Sequence, residues 1–287
     1  MPRSSANSAH LILTTGCNLT CSYCYVQKIR SAVESMPLEI ADKVMDFVDR
    51  QMPEGTLVHF FGGEPLLRFD IIKYIMTKYP TFSYSVVTNC TLLDEEKLEF
   101  LKDRKDFIGV LLSLDGTDVT QLKNRGQIPD YSIVRKAIAE LTHDVRMMVV
   151  EPNDIIGNVK FLVDMGIKTI KMGIPTFQVN RAGYKADFIT QSQLAKEMFP
   201  DIKFEPDRTS CEDKCFAFTG QRCFAPNGDI YPCDMFYHKK VFKIGHVDTG
   251  VDPALIEKFI KDTDGQLDLD VPCLAHKMFF GDKWINQ

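Results

Sequence analysis

The chain has 287 residues, of which 45% are hydrophobic and 25% charged, and a net charge of -5. That is enough to bury one large core, or a large one and a small one. The acidic balance argues against a dedicated binder of nucleic acid or anionic membrane, which would carry a basic face. The N-terminal "MPRSSANSAH" lacks the apolar core of a secretory signal, and no apolar run approaches the ~18 residues of a membrane span. A cytoplasmic protein without nucleic-acid or membrane partners is therefore expected.

The predicted elements alternate. Residues 10–15 (HLILTT) read as a buried strand and 38–51 (LEIADKVMDFVDRQ) as an amphipathic helix. A strand follows at 56–61 and a helix near 68–79, then a strand at 83–89 and a helix at 94–103. In that last helix, acidic residues crowd the end where a helix dipole favours them. The fourth strand is 108–115, with a helix from Tyr131 to Leu141. The fifth is 145–150, with a helix to Met165 that stops at Gly166. The sixth is 168–174, followed by a helix over 191–199. Six strand-then-helix units with near-continuous apolar strands imply a parallel sheet covered by helices. Either an open doubly wound sheet or a partial barrel satisfies this, and both place an active site at the carboxyl ends of the strands.

The chemically suggestive residues all fall there. "TTGCNLTCSYCYVQ" (14–27) follows the first strand, "GGEP" the second, "TNC" the third and "SLDG" the fourth. Beyond about residue 205 the pattern changes. "CFAPNGDIYPCD" (223–234) reads as a β-hairpin turning at Asn227-Gly228, and a helix follows near 253–262. The expected division is a barrel over 1–205 and a small cysteine-rich domain over 206–287, which metal would hold together.

The nine cysteines are an odd count, too few for a disulfide scaffold of this size, and they cluster. Cys17, Cys21 and Cys24 lie in one loop, five more lie between 211 and 273, and Cys90 stands alone as a small packed residue. Zinc pairs its ligands as two plus two. A cubane iron–sulfur cluster takes a cysteine on each iron, so a loop offering three leaves one iron open for a small molecule.

"C-x3-C-x2-C" with an aromatic before the third cysteine, then "GGEP", "TNC-TLL" and "SLDG" in order, resembles the radical SAM superfamily over residues 8 to 175. The resemblance implies a partial (β/α)6 TIM barrel. It also implies a [4Fe–4S] cluster whose open iron chelates S-adenosylmethionine, and reductive cleavage to a 5′-deoxyadenosyl radical that abstracts hydrogen from substrate. Carried over residue by residue, Cys17, Cys21 and Cys24 match the cluster ligands, and Tyr23 the aromatic beside the adenine. Gly62, Gly63, Glu64 and Pro65 match the segment that takes the methionine amino group, with glycines admitting close backbone approach and Glu64 adding charge or shaping the turn. Ser113 and Asp115 match the strand end near ribose and carboxylate. Arg125, in a loop, matches an arginine facing the carboxylate. Asn89 matches the family's Thr-Asn-Gly, although Cys90 replaces the glycine and the local backbone is open to a departure there.

Cys215, Gly228 and Cys233 resemble the opening of the SPASM domain of peptide- and protein-modifying members. With only Cys273 after Cys233, the shortened twitch form with one auxiliary [4Fe–4S] cluster is implied. Its expected ligands are Cys215, Cys223, Cys233 and Cys273, with Cys211 in reserve. Asp234, directly after Cys233, matches an aspartate that takes a proton in anaerobic sulfatase-maturating enzymes. The implied activity is oxidation or crosslinking of a peptide or protein, fed by a reductant such as flavodoxin or ferredoxin. A sugar, cyclitol or nucleotide-linked substrate is the alternative. A leader-binding domain is not expected, because the first strand begins about ten residues in. A glycyl-radical activase and a zinc-binding scaffold are the remaining readings.

Overall fold

A computed structural model describes residues 7–24, 26, 32–175, 181–206, 220–237 and 239–263. The barrel strands are β1 (Ser8–Thr14), β2 (Leu57–Gly62), β3 (Ser83–Thr88), β4 (Phe107–Ser113), β5 (His143–Met148), β6 (Thr169–Gly173) and β7 (Lys203–Pro206). They lie side by side in chain order, and every neighbouring pair is parallel. A doubly wound sheet reverses its strand order at a switch point; this one never does. Right-handed crossovers taken always in one direction put every helix on one face, which is the partial barrel.

The helices are α1 (Leu38–Gln51), α2 (Phe69–Lys78), α3 (Glu95–Lys102), α4 (Asp118–Arg125), α5 (Tyr131–Glu140), α6 (Ile155–Asp164), α7 (Tyr184–Met198) and α8 (Pro253–Thr263). Their apolar stripes explain their docking. In α1, Ala41, Val44, Met45 and Val48 recur at the three- and four-residue spacing of one helix face, and all are buried. Local signals set the ends. Asp94 accepts from the Lys97 amide at the start of α3, and Asp130 from the Ser132 amide at the start of α5. Gly126, at φ +82°, stops α4 in the left-handed conformation that glycine adopts freely. Two expectations shift. The helix expected at 191–199 begins seven residues earlier, at Tyr184, and residues 118–125, read as loop, form α4.

The main core lies between sheet and helices. Ala9, Leu11 and Leu13 of β1 enter it, as do Val58, Phe60, Val86, Val110, Leu112, Val145, Met147, Ile170 and Met172. Side chains alternate along a strand, so the opposite face carries His10, His59 and Ser85, aligned strand to strand, and Asp144, Arg146 and Lys171. A closed TIM barrel fills this interior with branched aliphatics. Here part of that face is charged, with Lys171 bridging Asp144 at 2.9 Å and Glu205 at 3.5 Å.

The hairpin expected at 223–234 forms as β8 (Arg222–Phe224) and β9 (Asp229–Tyr231). It does not stand apart. β8 pairs in parallel with the free side of β1, and β10 (Gly245–His246) and β11 (Gly250–Val251) extend the same sheet beyond β9. Phe224, fully buried, meets Phe47 of α1 edge-on at 5.5 Å. Among the described residues no helix is long and apolar enough to cross a membrane.

The hairpin therefore shares the barrel's core. Phe224→Ala is expected to lose about 3–5 kcal/mol of stability and to leave a single cooperative unfolding transition in urea; a separate early transition for the C-terminal region would contradict this shared core.

Candidate cofactor site

The structure brings Cys17, Cys21, Cys24, Tyr23, Gly62, Gly63, Glu64, Pro65, Asn89, Ser113, Asp115 and Arg125 to one rim, at or just beyond the carboxyl ends of β1 to β4. Asp115 organises it. Its side chain is fully buried, with Oδ1 accepting from Arg125 Nη2 at 2.7 Å and from the Met148 amide at 3.0 Å. Its Oδ2 accepts from the Tyr23 hydroxyl at 2.9 Å and from Asn124 Nδ2 at 3.3 Å. Arg125 lies in the last turn of α4, not in a loop, and its guanidinium sits 5.5 Å from the Tyr23 ring centre. Burial opposes the Arg125 charge, but Asp115 beside it holds the group protonated above its ordinary range.

These contacts clamp the second half of the cysteine loop, where the Ser22 amide also donates to the Asn124 carbonyl at 2.8 Å. The first half is tied to the end of β3. Asn89 Nδ2 donates to Asn18 Oδ1 at 3.0 Å, and Asn18 Nδ2 to Thr91 Oγ1 at 2.7 Å. The sequence assigns no role to Asn18, Thr91, Asn124 or Gln121, whose Oε1 accepts from the Asp115 amide at 2.9 Å. Asn18 stands in the cysteine loop, Thr91 in "TNC-TLL" and Asn124 beside Arg125, whereas Gln121 carries no such signal.

Gly62 and Gly63 have a local reason to be glycine. A Cβ on Gly63 would stand 2.0 Å from the Gly16 carbonyl oxygen, and one on Gly62 2.3 Å from that of Thr14. The two chain segments cross in contact, and the Gly63 and Glu64 amides donate to Thr14 and Gly16 carbonyls at 2.8 and 2.9 Å. Glu64 shapes this turn from within. Its carboxylate, 1% exposed, accepts from the Leu66 amide (3.0 Å), Thr88 Oγ1 (2.9 Å) and the Asn89 amide (2.8 Å). Burial pushes its pKa up to about 7, against those donors and the Arg125 charge. Cys90 has φ +71° and is 2% exposed. The cysteine that replaces glycine thus keeps a left-handed backbone, and its side chain is a packed core residue.

Burial raises the Cys17 thiol pKa, and raises that of Cys21 to about 11 although the Arg125 charge pulls it down. The Cys24 charge raises both further, Glu64 adds to the rise at Cys17, and Cys17 and Asp115 add to that at Cys21. Binding metal must displace protons from them. Among the described residues, no three His, Cys, Asp or Glu side chains are grouped to hold one metal ion. A cluster asks for something else, since each cysteine takes its own iron. Three thiols on a loop held at both ends fit that demand. Arg125 Nε, buried and without a hydrogen-bond partner among the described residues, is a donor left for a ligand. A cleft beside Asn124, lined also by Thr120, Met148, Glu151 and Asn158, opens between α4, the end of β5 and α6.

Asp234 lies apart from this rim, against the polar inner face. Its Oδ1 stands 3.5 Å from His10 Nδ1 and accepts from Gln221 Nε2 at 3.1 Å. His10 and His59 meet edge-on at 4.8 Å, and His59 Nδ1 reaches Ser85 Oγ. Cys223, on β8, is fully buried, and burial, with the Asp234 charge, raises its thiol pKa. Cys223 and Cys233 belong to one packed group with Ile12, Tyr231 and Phe236, against which Cys24 also rests. Cys211, Cys215 and Cys273 lie outside the described residues.

Two measurements test the rim. Removing one partner of a buried ion pair strands the other, so Asp115→Ala is expected to destabilise the protein by about 3–5 kcal/mol in urea denaturation. Glu64 titrates near 7 folded and near 4.5 unfolded. The stability contributed by its bound proton is then full below 4.5 and lost as pH rises through 7. A stability–pH profile of the metal-free protein should fall across that window, and Glu64→Gln should remove that component of the slope.

Comparison with known proteins agrees with this geometry. The Radical SAM superfamily model matches residues 11–146. The subtilosin biosynthesis protein AlbA of Bacillus subtilis is 26% identical over 260 residues, covering 82% of this chain and 56% of AlbA. A cysteine-type anaerobic sulfatase-maturating enzyme of Clostridium perfringens is 29% identical over 126 residues, 39% of this chain and 33% of that enzyme. SuiB of Streptococcus suis, solved with its precursor peptide SuiA, shares the fold. Its TM-score is 0.69 at 17% identity, covering 89% of this chain and 67% of SuiB. The chain spans about half of AlbA's length and a smaller share of the sulfatase-maturating enzyme's. Residues 11–146, just under half of the chain, are a radical SAM domain, of a family that uses a [4Fe–4S] cluster and S-adenosylmethionine.

Proposed function

We propose that this chain is a radical SAM oxidoreductase of the SPASM/twitch group that modifies a peptide. The observation that carries the reading is the loop of Cys17, Cys21 and Cys24, clamped to β3 through Asn18 and to Asp115 through Tyr23. The three thiolates hold the cluster, and the clamps keep the loop from folding over its open side. When bound, cluster and S-adenosylmethionine supply a primary carbon radical that abstracts hydrogen from substrate. Arg125, with its buried Nε donor, and Asn89 and Ser113 at the neighbouring strand ends orient the amino-acid part of the cofactor. Glu64 holds the turn that brings backbone carbonyls to its amino group.

The polar inner face is the substrate chamber in this reading. A chamber lined by His10, His59, Asp144, Arg146 and Lys171 suits the amides and polar side chains of a peptide better than an apolar ligand. AlbA's role in bacteriocin biosynthesis and SuiB's capture of a precursor peptide support a peptide substrate. Asp234 is the base that collects the substrate proton, held at Oδ1 by Gln221 and His10 with its second oxygen left for the substrate. Residues 206–287 carry the auxiliary cluster that accepts the electron, with ligands drawn from Cys211, Cys215, Cys223, Cys233 and Cys273. The packing of Cys223 and Cys233 in one group that reaches Cys24 supports electron passage between the two metal sites. A cytoplasmic site of action, with flavodoxin or ferredoxin as reductant, completes the reading.

Anaerobic reconstitution tests it. Two cubanes correspond to about eight irons per chain; replacing Cys17, Cys21 and Cys24 together by Ala should leave about four and abolish dithionite-driven release of 5′-deoxyadenosine from S-adenosylmethionine. A wild-type count near four would remove the auxiliary cluster. Undiminished 5′-deoxyadenosine in the triple variant would remove the assignment of the loop.

A further inference from the structure

The three loop cysteines are not equivalent. The Cys17 sulfur accepts from the Leu19 amide at 3.4 Å and from Asn89 Nδ2 at 3.8 Å. Among the described residues, no donor reaches the sulfur of Cys21 or Cys24. Leu19 belongs to the loop itself. Asn89 comes from another strand and is 7% exposed, so its contact is shielded from water.

The orientation of the Asn89 amide is determined by its partners. Oδ1 accepts from the Thr91 amide at 3.0 Å and from Thr91 Oγ1 at 2.6 Å. One hydrogen of Nδ2 goes to Asn18 Oδ1 at 3.0 Å, and Asn18 in turn donates to Thr91 Oγ1 at 2.7 Å. Flipping the amide would set Nδ2 against the Thr91 amide donor and Oδ1 against the Asn18 Oδ1 acceptor. The second Nδ2 hydrogen is therefore held toward Cys17. An N–H donated to a cluster thiolate disperses its negative charge and weakens its donation to iron. The reduced cluster, with one more negative charge, gains most from this, and its reduction potential rises.

We propose that Asn89, locked by Asn18 and Thr91, is a positioning residue that raises the reduction potential of the cluster through Cys17. The ring of three side chains then governs how readily a one-electron donor can load the cluster, separately from any contact Asn89 makes to S-adenosylmethionine. This rests on the assignment of Cys17, Cys21 and Cys24 as cluster ligands.

The test is a potentiometric titration followed by electron paramagnetic resonance on the anaerobically reconstituted chain. The cluster of interest is identified as the signal that changes on adding S-adenosylmethionine, and its midpoint is then measured without it. Asn89→Leu, which keeps the size and removes the amide, should load iron normally and titrate at a more negative potential. Thr91→Val, which removes the hydroxyl that donates to Oδ1 and accepts from Asn18 but keeps the amide bond to Oδ1, should move the potential the same way by less, and Asn89→Gln should recover part of the loss. A wild-type midpoint in a fully loaded Asn89→Leu protein would overturn the proposal. If Asn89→Leu takes up no cluster, Thr91→Val decides: loaded with an unmoved potential it overturns the proposal, loaded with a lowered one it supports it. A wild-type chain that assembles no cluster would overturn the ligand assignment itself, an outcome distinct from a loaded cluster whose potential ignores Asn89.

Discussion

The buried pair of Asp115 and Arg125 is the constraint on which the site depends. A carboxylate with no exposure is costly unless its lone pairs are filled, and here four donors from three segments fill them. Because the donors come from three different places, satisfying Asp115 forces those places together. The cysteine loop comes to β4 through Tyr23, α4 is drawn back over the strand end through Asn124 and Arg125, and β5 is pinned alongside through the Met148 amide. The protein's own hydrogen bonds thereby fix where the loop lies, the support that a preorganised site requires.

A second buried carboxylate does similar work on the other side. Glu64 accepts from Leu66, Thr88 and Asn89, so the turn after β2 and the end of β3 share one acceptor. The Gly62–Gly63 segment presses against Thr14 and Gly16, where no side chain fits. Cysteine loop, Glu64 turn and Asn89 therefore behave as one packed unit. A change at any of them reaches the others through hydrogen bonds rather than through distance.

Polar residues inside the barrel have the complementary logic. The helices meet the sheet through an apolar core, which supplies most of the stability. With stability supplied there, the opposite face is free to carry His10, His59, Asp144, Arg146 and Lys171. The C-terminal hairpin joins the sheet at β1 and brings Asp234 to this face. Strands β8 to β11, from what looks in sequence like an appended region, thus extend the barrel's own sheet.

Sequence alone determined the strand–helix alternation, the hairpin at Asn227-Gly228, and the placing of Cys17, Cys21, Cys24, Glu64, Asn89 and Asp115 at or just after strand ends. Those are local or periodic properties, written in apolar spacing, turn chemistry and motif order. Helix α4 was missed because its buried residues are Gln121, Asn124 and Arg125, so its inward face reads as polar. The barrel interior was missed because residues such as His10 and His59 interrupt apolar strands singly, which looks like noise until the strands are set side by side. Which partners a side chain finds was decided only by the tertiary structure. That Tyr23 reaches Asp115, that Asn18 reaches Asn89, and that Asp234 meets His10 all depend on strand register and crossover, which bring together residues 71 to 224 positions apart.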